Sequence, residues 1–83
     1  MARLHVSNWR RPFDRPVYLR DGVAIVTLAQ ARDWLITMDS DRNEFQWAAG
    51  KLMAAAKGGS VAKAREAVVN AAVLNMKLDF ERE

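Results

Sequence analysis

Apolar residues return at Val61, Ala64, Val68, Ala71 and Ala72, the spacing of one helical face, while Lys63, Glu66 and Asn70 fall on the opposite side. Gly58 and Gly59 supply the backbone freedom that ends a preceding helix, and Ser60 offers an oxygen to the first free N–H groups of this one. The helix is expected to close at Leu74, with Asn75 in the left-handed conformation. The same spacing joins Leu28, Ala31, Leu35 and Met38, with Trp34 beside them, and predicts a helix over residues 28–38. Thr27 and Gln30 are placed to form its capping box. A middle helix over residues 42–57 follows, for which Asp39-Ser40-Asp41 would supply caps. Its core face is read as Phe45, Ala48, Ala49, Leu52, Met53 and Ala56, so Trp47, Gly50, Lys51 and Ala54 point away.

Elsewhere the period is two. Val17-Tyr18-Leu19-Arg20 and Val23-Ala24-Ile25-Val26 flank Asp21-Gly22, a favoured pair for a tight hairpin turn. A two-residue loop would set Leu19 opposite Ala24 and Val17 opposite Val26 on the core face. Tyr18 and Ile25 would then share the second face. Beyond Asn75, Met76, Leu78 and Phe80 alternate with Lys77, Asp79 and Glu81, which predicts a third strand over residues 76–80 joining the hairpin. Leu4 and Val6 hint at a short strand near the start. The expected fold is α+β: an antiparallel hairpin, with a possible third strand, packed against three helices.

Composition bounds what such a fold can be. With 83 residues and 51% hydrophobic positions, the chain reads as one small globular domain, for which pairing with a second copy would bury useful surface. The absence of cysteine removes disulfides, thiolate nucleophiles and cysteine metal sites, and it suits a reducing cytosol. No apolar run approaches a membrane span, so the expectation is a soluble, cytoplasmic protein without a membrane partner. The net charge of +3 is uneven: the first twenty residues hold five arginines against one aspartate, and the remainder is slightly acidic. Residues 1–14 are read as a weakly structured basic arm.

The order of signals resembles family 982 of bacterial domains of unknown function. The resemblance rests on Pro16-Val17-Tyr18-Leu19, Gly22, Ala31 with Trp34-Leu35, Ala48, Ala55-Ala56-Lys57-Gly58, Ala64-Arg65-Glu66-Ala67-Val68 and Ala71-Ala72. It extends over most of the chain from Phe13 to Leu78. The chain departs from the family near Met38, where a tryptophan is usual, and near Leu52, where a cysteine is usual. The resemblance implies the fold and brings no activity with it.

Candidate chemistry is sparse. His5 is the single histidine, so neither a histidine metal cluster nor a well-supported Ser-His-Asp arrangement is available, and no catalytic residue, metal or cofactor is expected. Asp39-Ser40-Asp41-Arg42-Asn43 imitates the start of a calcium loop, but Glu44 stands where glycine is needed and Gly50 where the bidentate glutamate belongs. Gly58-Gly59-Ser60 with Lys63 lacks phosphate-loop spacing and reads as helix caps. Arg65 borders an apolar stripe; it reads as a structural arginine paired with a carboxylate such as Glu44 or Asp33, with ligand binding as the alternative. Trp9, Arg10 and Arg11 can be combined into a weak nucleic-acid site, phosphates on the arginines and a base on the indole. The stronger signal is the outer side of the middle helix, where Trp47, Gly50 and Ala54 share a face, together with Tyr18 and Ile25 on the hairpin's second face. The expectation is a non-catalytic protein–protein interaction module, a homodimer or the binder of another protein.

Overall fold

Val17 pairs with Ile25 and Tyr18 with Ala24, joining β1 (Pro12–Tyr18) and β2 (Ala24–Thr27) into a two-stranded antiparallel sheet. In this computed structural model residues 7–38 and 42–82 are described. Three helices follow the hairpin, α1 (Leu28–Ile36), α2 (Asn43–Ala56) and α3 (Val61–Leu74), so the α+β layout stands. The strand hints at Leu4 and Val6, along with Arg3, His5 and the caps at Asp39-Ser40-Asp41, lie outside the described residues.

The hairpin register differs from the expected one by a single residue. Its loop has three residues, Arg20-Asp21-Gly22. The Leu19 N–H donates to Val23 O at 2.8 Å, and the Gly22 N–H donates to Leu19 O at 3.0 Å. Gly22 takes the positive φ of 92° that this loop class requires at its last position. One step of register turns a strand over. Ile25, assigned to the second face, is therefore core at 1% exposure, whereas Val26 faces out. β1 also starts earlier than expected: Pro12, Phe13 and Asp14 belong to it, and Phe13 is buried. This corrects the reading of residues 1–14 as a loose arm for its last three members. The pairing is irregular between Pro12 and Val17, in keeping with two prolines that cannot donate to a ladder.

Local signals place the helices closely. Thr27 Oγ1 accepts from the Gln30 N–H at 3.3 Å, and Gln30 Oε1 accepts from the N–H groups of Thr27 and Val26 at 3.2 and 2.6 Å, completing the capping box. At the end of α2, Gly58 (φ 108°) donates to Ala55 O and Gly59 to Ala54 O, closing the helix with a left-handed glycine. Ser60 Oγ then caps α3 by accepting from the Lys63 N–H. The buried stripes are Leu28, Ala31 and Leu35 on α1, Phe45, Ala48, Leu52, Ala55 and Ala56 on α2, and Ala64, Ala67, Val68, Ala71 and Ala72 on α3. Met53, expected in the core, is 50% exposed, and Ala55 takes a core place instead. Alanines dominate where α2 meets α3, the most extensive contact between elements, because small side chains let two helix axes approach closely.

The C-terminal segment departs most from expectation. Asn75 keeps a negative φ of −108°, and its amide donates to Glu44 Oε2 at 3.0 Å and Ala71 O at 2.8 Å. Met76 takes the left-handed position instead, at φ 58°, with its N–H on Val73 O and the Lys77 N–H on Ala72 O. The expected third strand reduces to one antiparallel bridge, Leu19 with Leu78, flanked by Arg20 N–H to Lys77 O and Asp79 N–H to Tyr18 O. Leu78 is buried, but Met76 and Phe80 are 72% and 67% exposed. Asp79 explains the arrest, since its carboxylate accepts from the Glu81 N–H and its carbonyl from the Arg82 N–H, which curls the chain off the sheet.

A left-handed methionine costs about 1–2 kcal/mol, of which glycine recovers part after its own entropy loss. Met76→Gly is therefore expected to raise the unfolding free energy by about 0.5–1 kcal/mol in urea titration. Gly58→Ala should lower it by a similar amount.

Candidate functional site

The arginines singled out by sequence turn mainly inward. Arg65 reaches from α3 to β1, where its Nε donates to Arg15 O at 2.8 Å and its Nη2 to Pro16 O at 2.9 Å. These carbonyls belong to the irregular part of the strand, so the guanidinium takes the place of a neighbouring strand. The carboxylates foreseen as its partners sit elsewhere: Glu44 meets Arg42 Nε at 3.2 Å and Asn75, and Asp33 meets Arg32. Arg65 therefore binds backbone carbonyls of β1.

Arg11 behaves similarly at the end of α2, donating from Nη1 to Ala55 O at 2.6 Å and Gly59 O at 2.9 Å. A cation on these last carbonyls also complements the negative end of the helix dipole. Trp9 is half-buried against the core, and the Arg32 guanidinium lies over its ring at 4.7 Å. The backbone here is tied down as well: Asn8 N–H donates to Ala56 O, Ala29 N–H to Trp9 O and Leu28 N–H to Arg11 O. Of the trio expected at nucleic acid, Arg10 alone stays wholly at the surface. Arg11 and Trp9 are each engaged by groups of the chain itself.

The foreseen protein interface also divides. Ile25 is core, and Tyr18 is half-buried beneath the Arg82 guanidinium, 4.4 Å from its ring. Trp47, Gly50 and Ala54 are exposed together on the outer face of α2, with Trp47 at 46%. A Cβ built on Gly50 would meet nothing within 4 Å, so the space above that face is open.

Sequence reasoning missed a cavity of about 360 Å³ between α1 and α2. Buried Leu35, Phe45 and Leu52 form its floor, and half-buried Trp9, Arg32 and Ala49 line it together with exposed Gln46. Ile36, 73% exposed, and Met53 stand at its rim. Met53 was the available signal: it completes an apolar stripe that is wider than the core α2 has to cover.

No protein-family model matches the chain, and no curated protein or solved structure matches it. Among the described residues, no three metal-ligating side chains gather, and no helix is long and apolar enough to cross a membrane.

Hydrogen bonds from charged donors contribute about 1.5–3 kcal/mol each when buried and less when partly exposed. Arg11→Ala and Arg65→Ala are each expected to destabilise the fold by about 1–2 kcal/mol in urea titration. Arg65→Lys should recover less than half of that loss, since an ammonium point charge does not span both carbonyls as a planar fork does.

Proposed function

We propose that the protein is a non-catalytic interaction module that self-associates through the outer face of α2. The observation that carries this reading is the exposed Trp47 beside exposed Gly50 and Ala54, with open space above the glycine. A large aromatic next to small residues suits a two-fold contact, in which each indole packs over the other copy's glycine and two helices approach closely.

The sheet offers less. The C-terminal segment occupies β1 at Tyr18 and the loop at Arg20, Arg65 occupies β1 at Arg15 and Pro16, and Gln30 takes the Val26 N–H on β2. Addition of a strand from a second copy would have to displace these groups. The hairpin's second face, with Ile25 turned inward, no longer contributes to the proposed contact. Nucleic-acid binding through Trp9, Arg10 and Arg11 has weak support, because Arg11 is engaged by α2 and Trp9 by Arg32. A cysteine-free chain fits a cytoplasmic setting, and the family that the sequence resembles brings no activity to set against this reading.

Sedimentation over a concentration series tests it. The expected outcome is a reversible dimer that Trp47→Glu and Gly50→Leu both weaken by at least about tenfold. Gly50→Leu keeps the monomer folded, since its side chain enters open space and replacing a helical glycine gains up to about 1 kcal/mol. A strict monomer at high micromolar concentration overturns self-association, and a dimer indifferent to both changes overturns the choice of face.

A further inference from the structure

We propose that the cavity between α1 and α2 binds a small amphipathic anion, an apolar body bearing one carboxylate. At about 360 Å³ the hollow falls within the roughly 300–1,000 Å³ range of small-molecule sites, near its lower end. Its floor reaches the buried Leu35, Phe45 and Leu52, so an apolar body seated there meets core side chains. Ala49 leaves the room: any larger residue at that point of α2 would fill it.

The charge on the lining selects the ligand's sign. Among the described residues, Arg32 is the single charged one lining the cavity, and no carboxylate lines it. Its guanidinium rests on Trp9, which orients it, while Nε and Nη2 contact Asp33 Oδ1 at 3.4 Å. That distance is long for a charge-assisted bond, for which about 2.7–2.9 Å is usual, and the Asp33 carboxylate is largely in solvent. A carboxylate arriving from the cavity side can therefore bond the guanidinium in competition with Asp33.

The hollow's volume favours a small molecule over a partner helix. Along α2 it runs from Phe45 to Met53, about two turns or roughly 12 Å, and Trp9 walls one side. A helical ligand read through i, i+4 and i+7 anchors spans a similar length, about 10 Å, so the small volume, with Trp9 on one side, is what favours a compact ligand. The cavity faces α1, whereas Trp47, Gly50 and Ala54 lie on the outer side of α2, so binding here is separable from self-association.

Decanoate is a suitable probe, with decanol and decyltrimethylammonium as the neutral and cationic counterparts, each kept below micelle formation. Calorimetry of the full chain is expected to show saturable one-to-one binding of decanoate, about tenfold or more tighter than either counterpart. Arg32→Gln should bring decanoate down to the affinity of decanol, Ala49→Phe should abolish binding, and Trp47→Glu should leave it unchanged. Amide shift changes in the wild-type protein should centre on Arg32, Ala49 and Met53, a readout that holds even if Ala49→Phe fails to fold. Absence of saturable binding, equal affinity for the three probes, or shift changes centred elsewhere overturns the site. If a second copy covers the hollow instead, Ile36→Glu rather than Trp47→Glu dissociates the dimer and decanoate competes with association, which overturns both the site and the proposed α2 face. A monomer that still binds decanoate overturns self-association alone.

Discussion

Arg65 crosses from α3 to the carbonyls of Arg15 and Pro16, and the small sheet depends on such borrowed partners. Two strands in isolation are marginally stable in water, and a strand with prolines at positions 12 and 16 cannot complete a regular ladder. Side chains and single backbone bridges stand in for further strands: Arg65 at the irregular stretch, Leu78 and its neighbours at the tip, and Gln30 on β2. Arg11 performs the related task for the carbonyls at the end of α2. Each closes backbone groups that would otherwise lack partners or invite another chain.

A second constraint comes from the alanines between α2 and α3. Small side chains allow close approach but bury little area each, so the core relies on a few larger residues, Phe13, Val17, Ile25, Leu28, Phe45 and Leu52 among them. Several large apolar residues remain outside. Ile36, Trp47, Met53 and Leu74, all on helices, are exposed, as is Phe80 in the C-terminal segment. That surplus is the physical basis for assigning binding functions to the helical side.

α2 presents this surplus on two distinct faces. Toward α1, the gap over Ala49 forms a hollow with an arginine in its lining, and toward solvent, Trp47 stands beside Gly50. A concave apolar space with one cation suits a small anionic ligand, whereas a convex aromatic beside a flat small residue suits another protein surface. The buried alanine face of α2 packs on α3, which leaves these two faces to be presented outward.

Short-range features were legible in the chain alone. The 3.6-residue stripes located α1, α2 and α3, Thr27 with Gln30 and Ser60 marked two helix starts, and the outward direction of Trp47, Gly50 and Ala54 followed from the same periodicity. These depend on residues within a turn or two of each other, where spacing is sufficient information. Tertiary structure decided the rest. Asp21-Gly22 suits both a two- and a three-residue loop, and the choice that buries Ile25 follows from the packing of the sheet under the helices. Asn75 is the better left-handed residue by local preference, yet its amide is drawn to Glu44, 31 positions away, and Met76 takes the strained place. The destinations of Arg11 and Arg65 lie 44 to 50 positions distant, and the cavity exists because α1 and α2 leave space over Ala49. A long flexible cation has no preferred partner in sequence, and a hollow is a property of two surfaces at once, so both appear when the chain has folded.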